Sequence, residues 1–230
     1  MRMRDIHCHI LPGLDDGSEN MDQSLRLLTE AYERGVRSII ATPHFSPQFA
    51  EHSPDRIKQL CRELENHARN RFGCRFFVLP GNEIFYSADV PQKLQEGKIL
   101  TLAETRYILL EFAPEISWRE IQRVVREMEM AGYWPILAHV ERYQCLRKSG
   151  RLEELRQLGA YLQINGNSLA GNLFDQRAEW CRKQLLRERI QFIASDMHNL
   201  TTRGAVSEKA EAWMKKRLDP AYRKKILWIY

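Results

Sequence analysis

The sequence predicts an α/β protein of parallel strands closed into a barrel, on three observations. Short β-branched and aromatic runs alternate with longer segments of helical period along the chain. Seven such runs occur within 230 residues, a length at which barrels commonly form one domain. Side chains able to bind metal follow almost every run, as they would where parallel strands open onto one face.

The first strand, expected at residues 1–6, runs into Asp5-Ile6-His7-Cys8-His9. Residues two apart on a strand project to one side, so His7 and His9 point together while Cys8 faces the packing. Two adjacent imidazoles repel when protonated and are best held neutral by a shared metal ion or by acceptors. The first helix carries Met21, Leu25, Leu28 and Tyr32 on one face and stops at Gly35, ahead of a second strand at 37–42. A second helix, with Ile57, Leu60, Cys61, Leu64 and Ala68 in one stripe, precedes a third strand at 75–79. His67 beside that stripe and His52 in a loop read as bystanders. Strands four to seven fall at 106–112, 133–140, 160–164 and 190–194. Between the fourth and fifth, Ile121, Val124, Val125 and Met128 give a helix its buried side. Residues 220–230 are basic and then apolar, the pattern of a docked terminal helix.

Composition narrows the class. Hydrophobic residues at 43% and charged residues at 28% describe an ordinary globular protein. The apolar runs, 133–140 among them, are too short to cross a bilayer, and the N-terminus lacks a secretory pattern, so the cytoplasm is the expected compartment. The five cysteines (8, 61, 74, 145 and 181) contain no Cys-x-x-Cys pair, which argues for reduced thiols rather than disulfides or a thiolate zinc site. A formal charge of +5 suits an anionic substrate and requires no nucleic-acid partner. Linkers, low-complexity tracts and short repeats are missing, so residues 1–230 read as a single domain.

The polar residues after the strands are His7 and His9, His44, Glu83, Glu111, His139, and Asp196 with His198. Each has an ordinary alternative: His44 or Glu83 as a cap, Glu111 as an arginine partner, Asp196 and His198 as a loop pair. Gathered on one face they would be a costly cluster of carboxylates and imidazoles unless cations occupied it. Nitrogen and oxygen ligands without thiolate suit manganese, iron or zinc. Bridging carboxylates favour two or three ions, and ions ~3.5–4 Å apart clamp a phosphoryl group and lower the pKa of water.

Taken together, the blocks Asp5-Ile6-His7-Cys8-His9, Asp15-Asp16-Gly17, Ala41-Thr42-Pro43-His44, Gly81-Asn82-Glu83, 107–112, 139–143, Gln163-Ile164-Asn165 and Ser195-Asp196-Met197-His198 resemble the PHP (polymerase and histidinol phosphatase) superfamily. Within it, the chain is similar to the metal-dependent bacterial protein-tyrosine phosphatases of capsule and exopolysaccharide loci. The resemblance implies a distorted TIM-like (βα)7 barrel with a trinuclear, usually manganese-dependent site. It implies as ligands His7, His9, His44, Glu83, Glu111, His139, Asp196, His198 and one of two aspartates, Asp16 being preferred to Asp15 although spacing does not separate them. Arg142 and Arg203, on the same rim, correspond to catalytic arginines. Implied too are hydrolysis of phosphotyrosine by metal-activated water without a phosphoenzyme, and, as partner, the phosphotyrosine tail of a membrane-associated tyrosine kinase. Two alternatives stand beside this: a histidinol-phosphate type of phosphomonoesterase, disfavoured because several relatives of that branch have histidine where Glu111 stands, and a non-catalytic metal-binding module.

Cys145 and Arg151 have the C-x5-R spacing of cysteine-dependent phosphatases. That motif needs a strand leading directly into a phosphate-cradling loop, whereas here the strand ends six residues earlier and Leu146-Arg147-Lys148 follow. The match reads as coincidence.

Overall fold

Each expected strand, marked in the sequence by a short apolar run, is present in the computed structural model, which describes residues 3–73, 76–172 and 174–226. The expected strand residues 1, 2 and 75, Cys74, and the end of the terminal segment at 227–230 lie outside the described residues. The order is β1 (Met3–Cys8), α1 (Met21–Glu33), β2 (Val36–Ala41), β3 (His44–Phe45), α2 (Pro54–Phe72), β4 (Phe77–Pro80), β5 (Glu83–Phe85), α3 (Val90–Gln95) and β6 (Tyr107–Glu111). There follow α4 (Trp118–Met130), β7 (Trp134–Leu137), α5 (Arg151–Gln157), β8 (Tyr161–Asn165), α6 (Gln176–Leu186), β9 (Phe192–Ala194), α7 (Glu208–Arg217) and α8 (Pro220–Ile226).

Among the described residues all strand pairing is parallel, in two sheets of order β1-β2-β4 and β3-β5-β6-β7-β8-β9. Two of the expected strands, 37–42 and 75–79, are each followed by a short strand that the sequence does not predict. Thr42-Pro43 separates β2 from β3, and Gly81-Asn82 separates β4 from β5. Proline has no N–H for a ladder, and the Pro43 carbonyl instead accepts from Glu83 N at 3.2 Å and Asn82 Nδ2 at 3.0 Å. Beyond each break the chain leaves the first sheet and pairs in the second, His44 lying opposite Glu83. At the other margin an isolated parallel bridge joins Cys8 to Met197, flanked by Asp196 N donating to the His7 carbonyl at 2.9 Å. The architecture is thus a mixed α/β fold of curled parallel sheets with helices outside.

The helices obey local signals. Ser53 caps α2 by accepting from Arg56 N, Pro54 sits in its first turn, and Gly73 ends it at φ 61°. Its buried residues are Ile57, Leu60, Cys61, Leu64 and Ala68, the stripe expected from the sequence. Ser117 caps α4, which buries Ile121, Val124, Val125 and Met128. On α1 the buried face is rotated from the expected one: Ser24, Leu27, Leu28 and Ala31 are buried, while Met21, Leu25 and Tyr32 flank the core. Ser24 can lie inward because its hydroxyl meets Ser18 Oγ at 2.8 Å and the Asn20 carbonyl at 3.2 Å. In α8, Tyr222 and Ile226 join the main core. Among the described residues no helix is long and apolar enough to cross a membrane.

Candidate metal centre

The strand ends carry the site. His7 comes from β1 and His9 from the residue after its end; His44 opens β3, Glu83 opens β5, and Glu111 closes β6. His139 follows β7 by two residues, Asp196 follows β9 by two, and His198 lies two further on. The structure gathers these eight and Asp16 into contact. His9, Asp16, His44 and His198 form one group of mutually close donor atoms; His7, His9, Glu83 and Asp196 form a second; His44, Glu83 and Glu111 form a third. His139 Nε2 reaches Glu83 Oε1 at 2.8 Å and Glu111 Oε1 at 3.3 Å. Glu83 touches four histidines: His7 at 3.2 Å, His9 at 3.1 Å, His44 at 3.2 Å and His139.

Several imidazoles are oriented from behind, so that the other nitrogen faces the cluster. Asp15 Oδ2 meets His9 Nδ1 at 2.7 Å, Gln163 Oε1 meets His7 Nδ1 at 3.2 Å, and the Asp196 carbonyl accepts from His198 Nδ1 at 2.9 Å. His7 Nε2 and His9 Nε2 consequently face one another at 3.2 Å, with Glu83 Oε2 and Asp196 Oδ1 beside them. Among the described residues, the buried His44 Nδ1 and His198 Nε2 have no hydrogen-bond partner, although each has a carboxylate oxygen nearby. Lone pairs aimed together among buried carboxylates fit divalent cations of the nitrogen- and oxygen-seeking kind.

The electrostatics are those of compressed opposite charges. Burial alone would raise the Glu83 pKa, but the facing His7 and the hydrogen bonds from His139, His7 and His9 hold it well below its usual value. Burial likewise opposes ionisation of Asp196, and the histidines, His7 foremost, outweigh it and depress its pKa. His139 is pushed up to about 9: burial works against its charged form, and the bonds to Glu111 and Glu83 more than compensate. His198 falls to about 2, through burial and then the positive His9. Two ligand-type residues also adopt left-handed backbone, His139 at φ 32° and Asp196 at φ 53°. Such conformations cost ~1–3 kcal/mol each and persist where the surroundings impose them. Here His139 N donates to Gln163 Oε1 at 2.8 Å, and Asp196 N to the His7 carbonyl.

Two arginines bracket Asp196. Arg142 Nη2 meets Asp196 Oδ2 at 2.6 Å, and Arg203 Nη2 meets Oδ1 at 3.2 Å; Arg142 also lies 3.7 Å from Glu111, and Arg203 3.1 Å from Asp16. Both arginine side chains are about one-third exposed, at 33% and 35%, and line an open cleft of about 600 Å³ beside the cluster. Of the paired aspartates, Asp16 belongs to the donor group, whereas Asp15 turns back to His9 and accepts from Gly17 N at 3.0 Å and His44 N at 2.9 Å.

Sequence reasoning gave no role to the residues behind the cluster. Gln163 and Asn165 alternate with apolar Leu162 and Ile164 on β8, and that alternation was the available signal. Asn165 Nδ2 donates to Asp196 Oδ2 at 2.7 Å. Asp5 accepts from Ser195 N at 3.1 Å and from Ser195 Oγ, bracing the segment that carries Asp196. The two bystander histidines lie apart from the three donor groups: His67 is exposed on α2, and His52 Nε2 bonds to the Leu14 carbonyl at 2.8 Å. Cys145 packs against the main core, its carbonyl accepts from Arg151, and burial pushes its thiol up, away from the thiolate a nucleophile needs.

Comparison with known proteins bears on the same residues. The family model for capsular polysaccharide synthesis proteins, CpsB/CapC, matches residues 3–229. The chain belongs to the CpsB/CapC family. Among CpsB/CapC relatives, the tyrosine-protein phosphatase CpsB of Streptococcus agalactiae is 35% identical, over 87% of this chain and 85% of its own. The tyrosine-protein phosphatase YwqE of Bacillus subtilis is 34% identical, over 90% of this chain and 82% of its own. A solved chain from the crystal structures of Bacillus subtilis YwqE and Streptococcus pneumoniae CpsB, described there as unique metal-dependent tyrosine phosphatases, superposes with a TM-score of 0.86. It is 32% identical, with 97% of this chain and 91% of that one covered. A phosphotriesterase homology protein from Escherichia coli, at 12% identity and TM-score 0.60, shares the fold.

Proposed function

We propose that this chain is a metal-dependent protein-tyrosine phosphatase that removes phosphate from the tail of a membrane-associated bacterial tyrosine kinase and thereby regulates capsular or exopolysaccharide synthesis. One observation carries the reading: three interlocked groups of nitrogen and oxygen donors, sharing His9, His44 and Glu83, lie against two arginines at the edge of an open cleft. The names of the family and of its phosphatase relatives supply the biological setting. A cytoplasmic location follows from the intracellular side of such a kinase.

His7, His9, Asp16, His44, Glu83, Glu111, His139, Asp196 and His198 would hold two or three divalent ions, manganese being favoured and iron or zinc allowed by the donor set. Bound ions supply Lewis acidity and lower the pKa of water at neutral pH. The protein's part is to bind and orient. Arg142 and Arg203, now paired with Asp196, present planar forks from the cleft side to the phosphoryl oxygens and offset charge that builds up on them. Glu111 and Asp16 keep those forks aimed. The leaving phenolate, whose acid has a pKa of about 10, asks little of a general acid. Cys145 has no part in the hydrolysis, which proceeds without a phosphoenzyme.

We propose also that the whole chain is one domain whose sheets form a single distorted (βα)7 barrel. Support comes from β3 and β5, which continue β2 and β4 after two-residue breaks, and from the isolated bridge between Cys8 of β1 and Met197, three residues beyond β9.

The test is hydrolysis of a phosphotyrosyl peptide by purified protein before and after chelator stripping, and after reloading with manganese, beside Cys145→Ser. Stripping should abolish turnover and reloading restore it, while Cys145→Ser stays within about twofold of wild type. Activity that survives stripping but disappears with Cys145→Ser would replace this mechanism with a cysteine-dependent one. Hydrolysis of histidinol phosphate in preference to the peptide would move the substrate class.

A further inference from the structure

The cleft beside the metal centre extends well beyond the reacting end. Its near wall is Arg142, Asp196 and Arg203, and its far wall is the first turn of α6, Asp175 to Arg177. A substrate phosphate held by the near wall leaves the far end to whatever adjoins the phosphotyrosine.

Most polar side chains of the intervening wall are already committed within the protein. Asn165 donates to Asp196, and Asn167 donates to the Gly204 and Ala205 carbonyls at 3.1 Å while accepting from Ser207 N at 2.8 Å. Ser168 donates to Glu141 at 2.7 Å, Ser195 donates to Asp5, and Thr202 Oγ1 donates to Asn199. The carboxylate of Asp175 accepts from Arg177 N at 2.9 Å and Ala178 N at 3.0 Å, which spends its charge on the start of the helix. Arg177 differs. The residue is exposed, lines the cleft, and has no ion pair or side-chain hydrogen bond among the described residues.

We propose that Arg177 is a specificity-determining residue that reads an acidic side chain next to the phosphotyrosine of the peptide substrate. This rests on the phosphatase reading above. An exposed cation gains little from a lone carboxylate in water. At the far wall of a cleft that a peptide would cover, the pairing is less screened and a like charge on the substrate is repelled.

The experiment uses the manganese-loaded full chain and three phosphotyrosyl peptides that differ only beside the phosphotyrosine, carrying glutamate, glutamine or lysine. Wild type should favour the glutamate peptide over the lysine peptide by about tenfold in kcat/KM, chiefly through KM. Arg177→Ala should bring that ratio to within about twofold of unity, and Arg177→Glu should reverse it. A reversal reports charge recognition, which a merely structural role for Arg177 would not produce. If both variants keep the wild-type ratio, the subsite is wrong while the phosphatase reading stands. If loaded wild type hydrolyses none of the three peptides, the phosphatase reading itself fails.

Discussion

At the scale of single residues, the histidines make a testable link between protons and metal. In the metal-free protein His139 holds its proton up to about pH 9, against an ordinary value near 6.5. A cation requires the neutral imidazole, so loading at pH 7 must expel that proton, and loading above pH 9 expels none from this group. Affinity for manganese should therefore rise by up to about tenfold per pH unit between 6.5 and 9 for each proton displaced. The sign for the metal-free fold is opposite. A raised histidine pKa stabilises the fold fully below pH 6.5, and this contribution is lost as pH passes 9. Calorimetric titrations in buffers of different ionisation enthalpy count the protons released, and pH-independent binding with no release at pH 7 would contradict this account. The same residues were legible in the sequence because metal-binding types recur after β runs. Gln163, Asn165 and Asp5 were assigned no role because holding a candidate ligand's second nitrogen, or bracing its loop, demands nothing that residue type alone reveals. The choice between Asp15 and Asp16 needed the loop's path, which turns one carboxylate back to His9 and leaves the other facing the cluster.

At the scale of elements, the loop between β1 and α1 is fixed by one residue without a side chain. A Cβ on Gly17 would lie 2.1 Å from the His9 carbonyl oxygen and 2.5 Å from His9 Cβ, so alanine there must move backbone. The turn is also tied by Ser18 N donating to the His9 carbonyl at 3.0 Å, and it delivers Asp15 and Asp16 to opposite jobs. Gly17→Ala should cost about 1–3 kcal/mol from overpacking and lower the metal content of the purified protein. Ser117→Ala is the control: it removes the α4 cap for about 1 kcal/mol and should leave metal content unchanged. Thermal melts and elemental analysis together separate the two outcomes, and a Gly17→Ala protein with full metal and wild-type melting would show that the loop can give way freely. The longer strands were legible as short β-branched and aromatic runs. The two- and three-residue strands β3 and β5 were not, because they are too short to carry a pattern and become visible only when they find partners in a different sheet from β2 and β4.

At the scale of the molecule, the centre joins surfaces that backbone pairing joins only weakly. His7 belongs to β1 in the three-stranded sheet, whereas His44, Glu83 and Glu111 belong to strands of the six-stranded sheet, and Asp196 follows its last strand. Between β1 and the chain after β9 the described backbone contacts are an isolated bridge and its flanking bonds, among them His9 N donating to the Met197 carbonyl at 2.8 Å. Besides these, that seam is held by Asp5, which accepts from Ser195 N and Oγ, by the contacts of His7 and His9 with Asp196, and by Arg203, which bridges Asp16 and Asp196. Ions bound there would tie both sheets and favour the folded state by mass action. At a free metal concentration of 100 times Kd, one site adds about 2.7 kcal/mol, which for a chain of this size raises Tm by roughly 5–10 °C. The stripped protein should melt lower by that amount or more. Its amide exchange should quicken first along β1 and residues 195–198 rather than across α4, whose buried face packs in the main core away from the seam. Equal melting temperatures and equal protection of β1 with and without metal would mean that the sheets close without help from the centre, and that the cluster serves chemistry alone.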